Sequence, residues 1–192
     1  AAAGGWGLGA ALSVPLVASE RVLGVLACYA ARPGAFDEAT VAPITRFADQ
    51  VALTLVEAEQ LERIELQTAA LEATANAVVI TDREGRVEWV NRAFTDLTGF
   101  ELGEVLGETP RVLKSGIQSD FYYEKMWETI LGGHVWRGEL YNRRRDGTVY
   151  VEEQTITPVT GDDGSIRHFV AVKQDVTQRR RTEERIRYLA LH

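Results

Sequence analysis

Two apolar runs, residues 11–18 (ALSVPLVA) and 22–31 (VLGVLACYAA), flank the polar Ser19-Glu20-Arg21. Both are rich in residues that pack well on a pleated surface, and together they predict a β-hairpin. Glu20 and Arg21 also cut the apolar stretch into pieces shorter than the roughly 20 residues a membrane-spanning helix needs. After Pro33-Gly34 the period changes. Ile44, Phe47, Ala48, Val51, Leu55 and Ala58 recur three or four apart, which is the spacing of one helix face. No Gly or Pro follows Pro43 until Gly85, so the helix is predicted to continue through Leu61, Ile64, Thr68 and Leu71 between charged neighbours such as Glu62, Arg63 and Glu65. That seam predicts a connecting coiled coil joining two copies in a homodimer, with Val51, Leu61, Ile64 and Leu71 at the interface. The alternative is that the same stretch packs back on its own domain.

From Ala77 onward the grammar is α+β. Short strands at 78–80 and 87–90 surround Asp82-Arg83-Glu84-Gly85, a turn with Gly where a positive φ is wanted. Asn91 can cap a helix over 92–97 that Gly99 stops, and Ser119 can cap a longer one over 120–131. Strands follow at 135–144, 148–159 and 166–176, and Thr177 is placed to cap a last helix over 178–192. The predicted order is two strands, helices, three strands and a helix.

Composition narrows the function. The 192 residues include one cysteine, Cys28, and three scattered histidines, so neither an internal disulfide nor a structural zinc site is expected. A reducing, cytoplasmic setting follows from that cysteine usage. The net charge of -7 divides as -5 over residues 1–75, -5 over 76–176 and +3 over 177–192. Only the terminal helix is basic, which gives little footprint for nucleic acid. The glycine run at Gly4, Gly5, Gly7 and Gly9 lacks the order of a phosphate-binding loop, and no nucleophile stands beside a base. The expectation is a binding module, not an enzyme.

Residues 77–177 resemble a PAS domain of the S-box kind, through VVITDREGRVEWVNRAFTDLTGFELGEVLG, PRVLKSG, WRGELYNRRRDGTVYVEEQTITPV and IRHFVAVKQDVT. The resemblance implies a five-stranded antiparallel sheet in the order 2-1-5-4-3, helices over one face, and a ligand pocket between them. Residues 10–60 resemble the C-terminal half of a GAF domain through LSVPLVASERVLGVLACYA and FDEATVAPITRFADQVALTL. The run RYLALH at 187–192 is similar to the lead-in of a GGDEF diguanylate cyclase. The implied organisation is a GAF part at 1–60, a connecting helix at 61–75, a PAS sensor at 76–177 and a signalling helix at 178–192, followed by a cyclic-di-GMP output domain.

Strand parity locates candidate site residues. Asn142, Glu152, Gln154, Ile156, Phe169, Ala171 and Lys173 share parity within their strands, so each strand's set lies on one face. The resemblance makes that the pocket face, with Trp127 and Arg111 nearer the helical side. Buried polar groups are costly unless paired. Two readings therefore stand: Asn142, Glu152, Gln154 and Lys173 meet a polar small molecule, or they satisfy one another around a Glu152–Lys173 ion pair. Light-sensing LOV relatives carry Asn-Cys-Arg-Phe-Leu where this chain has Thr109-Pro110-Arg111-Val112-Leu113, so no thiol photoadduct is expected. Trp127 and the WRGELYNRRRDG run are similar to redox PAS domains that hold FAD non-covalently, which makes flavin a candidate cofactor. The strand bearing Lys173 runs into the last helix, so Asp175 and Thr177 are the expected signal relay.

Overall fold

The structure, a computed structural model, describes residues 8–191; Gly4, Gly5 and Gly7 of the glycine run, and His192, lie outside them. The chain divides between Thr68 and Ala69 into two compact units.

In the first unit, β1 (Ala10–Ala18) and β2 (Arg21–Ala30) form the predicted hairpin. Its turn is the two residues Ser19 and Glu20, with φ of 50° and 62°. That is the left-handed twist tight hairpins require, adopted here without the usual Asn-Gly pair. The register places Val14 opposite Leu26 and Leu16 opposite Gly24. Val14 and Leu16 are buried with Ala48 and Ala52 of α1 (Glu38–Glu72), joined by half-buried Ile44 and Val51. Small alanines on that helix turn let it approach the sheet closely. Val51, expected at a dimer seam, thus packs on its own hairpin, whereas Leu61 and Ile64 are 62% and 59% exposed.

The second unit is built on an antiparallel sheet of β3 (Ala77–Asp82), β4 (Val87–Val90), β5 (Trp136–Arg143), β6 (Val149–Thr160) and β7 (Ile166–Asp175). The spatial order is β4-β3-β7-β6-β5, the predicted 2-1-5-4-3. Between β4 and β5 lie α2 (Arg92–Thr98), α3 (Leu102–Val105), a 3-10 turn (Pro110–Leu113) and α4 (Asp120–Leu131). Val79, Phe94, Leu113, Ile130, Ile156 and Phe169 belong to the core cluster that joins sheet and helices. Asn91 caps α2 by accepting from Phe94 N at 3.1 Å, and it accepts from Val78 N at 2.8 Å. Its amide donates to Thr74 Oγ1 and Asn76 O, both at 3.0 Å, so one buried residue ties the strand's approach to the sheet.

The final helix α5 (Thr177–Leu191) begins one residue earlier than the sequence suggests. Thr177 does not cap it. The Thr177 N–H donates to Asp175 Oδ1 at 2.8 Å, which makes Asp175 the side chain that meets the first free amide. The Thr177 hydroxyl instead accepts from Val151 N at 2.9 Å and pins the helix start to β6. Among the described residues no helix is long and apolar enough to cross a membrane.

Candidate functional site: a cavity over a buried ion pair

A cavity of about 580 Å³ opens between the inner face of the sheet and α4 with the 3-10 turn. Asn142, Gln154, Lys173, Trp127 and Arg111 all line it, so five of the six sequence candidates meet at one space. Most of the wall is apolar, with Ile156, Phe169, Leu140 and Met126 among its residues. Trp127 meets Phe169 edge to face at 5.9 Å. It also packs on Gly85, whose φ is 79° and where a Cβ would come within 2.5 Å of the indole. Any larger residue in that turn would move a cavity wall.

The sixth candidate, Glu152, lies below the wall and is fully buried. Its Oε1 accepts from Lys173 Nζ at 2.6 Å and from Asn142 Nδ2 at 2.9 Å. Its Oε2 accepts from the Tyr150 hydroxyl at 3.0 Å. Lys173, 2% exposed, also donates to Gln154 Oε1 at 3.2 Å. Lys173 stands opposite Gln154 in the β6–β7 register, so the ion pair runs diagonally to Glu152 across one step of the ladder. The internal pairing is therefore made. Such a pair stabilises little by its existence, but removing one partner strands a charge in a dry interior.

Two tyrosines complete the electrostatics. Burial, then the Glu152 charge and its hydrogen bond, push the Tyr150 phenol far above its ordinary pKa. Burial followed by the Glu152 charge also raises Tyr123. The Tyr123 hydroxyl lies at the cavity with no hydrogen-bond partner among the described residues. Lys114 stands over the Tyr123 ring, 3.8 Å from its centroid.

From Tyr150 the network leaves the pocket. The Arg144 guanidinium lies 4.4 Å from the Tyr150 ring centroid and pairs with Asp175 Oδ2 at 2.6 Å. Arg144 also donates to the Leu97 carbonyl at the end of α2. Burial opposes the charged form of Asp175, but hydrogen bonds from Thr177 and the Arg144 charge outweigh it and hold the carboxyl below its ordinary range. On α5, Arg180 forks onto Glu139 and Arg179 reaches Glu153 at 3.0 Å, attaching the helix to β5 and β6. Sequence reasoning missed Tyr150, Tyr123 and Arg144. Tyr150 has the same parity as Glu152 and was open to the same argument. Tyr123 and Arg144 are placed by helix rotation and a loop, which no strand period reports.

The sequence matches the PAS fold family over residues 66–176 and the GAF domain family over residues 1–56. It is similar to a nitrogen fixation regulatory protein of Klebsiella oxytoca, 35% identical over 117 residues, covering 61% of this chain and 24% of the relative. It is also similar to a blue-light-activated histidine kinase of Rhizobium johnstonii, 33% identical over 131 residues, covering 66% and 37%. The chain thus spans well under half the length of these curated relatives. In fold it resembles a PAS domain from Colwellia psychrerythraea with a TM-score of 0.56 at 18% identity, covering 60% of this chain and 98% of that one. It likewise resembles an RNA-binding light-oxygen-voltage receptor with a TM-score of 0.60 at 21% identity, covering 94% and 42%.

Proposed function

The chain belongs to the PAS family, and from that premise we propose that its cavity binds a small molecule whose presence is read out through α5. A sensory or regulatory role accords with the relatives, which are signalling proteins. The observation that carries the finer reading is the continuous set of contacts from the cavity edge to the helix start. It runs Lys173, Glu152, Tyr150, Arg144, Asp175 and Thr177, each touching the next. The expected relay residues Asp175 and Thr177 lie at its end. The route passes through Tyr150 and Arg144 as well as along the β7 backbone.

Binding, not catalysis, is the role we propose for this chain, within a homodimer in the cytoplasm. Blue-light photochemistry of the thiol-adduct kind is not proposed. Cys28, the only cysteine, lies in β2 of the first unit, while Arg111 and its neighbours form the 3-10 turn at the cavity. A flavin would meet a polar edge of Asn142 and Gln154 there, with Lys173 already committed to Glu152. A visible absorption spectrum of the purified chain tests that occupant directly. For the output, a cyclic-di-GMP enzyme rests on the RYLALH run alone, while the relatives named above are a regulator and a histidine kinase.

The experiment needs no identified ligand. Ala171 lies on the inner face between Val79 and Ile156, so Ala171→Leu and the bulkier Ala171→Trp fill the cavity from its floor. Hydrogen exchange of α5 amides should differ between each filled variant and the parent chain. Unchanged exchange over residues 177–191 in both would refute the readout.

A further inference from the structure

We infer that the cavity selects an uncharged ligand carrying both a hydrogen-bond acceptor and a hydrogen-bond donor, and rejects anions; this rests on the sensor-pocket reading and names its ligand class. The argument begins with the two amides. The Lys173 ammonium can only donate, so the Gln154 atom it meets at 3.2 Å is the carbonyl oxygen. The Glu152 carboxylate can only accept, so the Asn142 atom it meets at 2.9 Å is the amide nitrogen. The ion pair thereby fixes both amide orientations. Gln154 is left with its Nε2 protons, and Asn142 with its Oδ1, as groups for which the described residues supply no partner. Both residues line the cavity, so one of them needs an acceptor from a ligand and the other a donor.

Charge points the same way. The one cation at the polar edge, Lys173, is neutralised by Glu152 at 2.6 Å. The remaining charged lining residues are Arg111 and Lys114 against Glu84, Asp120 and Glu124, and Lys114 is itself 3.4 Å from Asp120. An anion entering this space would lose its hydration and find no uncommitted positive charge at the sheet edge. The unpartnered Tyr123 hydroxyl, kept protonated by burial and the Glu152 charge, adds a third uncharged contact from the helical side. The apolar walls at Trp127, Phe169 and Ile156 suit a ring as the ligand's body.

Four probes of one shape test this: naphthalene, 1-naphthamide, 1-naphthoate and 1-naphthylmethylamine, titrated into the chain with amide chemical shifts as readout. The amide should bind about tenfold tighter than the acid, the amine or the bare hydrocarbon, the effect of pairing buried polar groups. Gln154→Leu and Gln154→Met should each bring the ratio of amide to naphthalene affinity, measured on the same variant, down to near one. Acid or amine binding as tightly as the amide, or an amide no better than naphthalene, would overturn the ligand class and leave the sensor pocket standing. No probe binding at all, naphthalene included, would overturn the pocket reading together with it.

Discussion

Arg144 stacks on Tyr150, its guanidinium 4.4 Å from the ring centroid, while the hydroxyl at the far end of that ring donates to Glu152 at 3.0 Å. One aromatic side chain therefore has the buried pocket pair on one side and the partner of Asp175 on the other. A ligand that alters the Glu152 contacts changes the position of a ring on which the helix-start ion pair rests.

Tyr150→Phe keeps the stack and deletes the hydrogen bond to a buried carboxylate, so it should destabilise the chain by about 1.5–3 kcal/mol in urea unfolding. Combined with Asp175→Asn it should show a coupling energy above about 0.5 kcal/mol, because Arg144 contacts both side chains. Strict additivity would show that the ring does not link the two ends.

Glu152→Gln and Lys173→Met should each cost about 3–5 kcal/mol, because each leaves the other group charged and dry. The pair Glu152→Leu with Lys173→Met should cost clearly less than the sum of the two single changes. Equilibrium unfolding of the single and double variants checks both statements.

The sheet and its inner face were legible because period-two alternation survives in sequence. Positions 142, 152, 154 and 173 break a largely apolar face, and that break is the ion pair with its two amide partners. The hairpin was legible from its two apolar runs, though Ser19-Glu20 gives no hint of its left-handed turn. The start of α5 was misplaced because Thr177 looks like a cap by type, whereas a tertiary bond from Val151 claims its hydroxyl. Likewise, nothing in the spacing of α1 separates Val51, which faces the hairpin, from Leu61 and Ile64, which face outward.

Asp175 should make stability fall once the pH drops below the ordinary carboxylate range. Its carboxyl is held below the ordinary range near about pH 4, so its contribution is present above that value and is lost as the pH drops through the lowered one. With the side chain 36% exposed, screening limits the effect to about 1 kcal/mol or less. Asp175→Asn should lie below the parent chain at neutral pH, and the gap should narrow as the pH falls below the ordinary carboxylate range, as read from urea midpoints across pH. A gap that persists in acid would assign its cost to something other than charge.

Leu61→Glu with Ile64→Glu should convert a dimer to a monomer in light scattering, since both side chains stand out from α1 among charged neighbours. An unchanged mass would show that these residues are not where two copies meet.

Native mass spectrometry of the purified chain tests the central claim most directly, because it reports a retained small molecule. The account predicts that the parent chain carries a non-covalent mass above its 21.3 kDa polypeptide, and that Ala171→Trp, with the cavity filled, does not. Bare polypeptide in both, or the same extra mass on both, would contradict a ligand held in the cavity above Lys173 and Glu152.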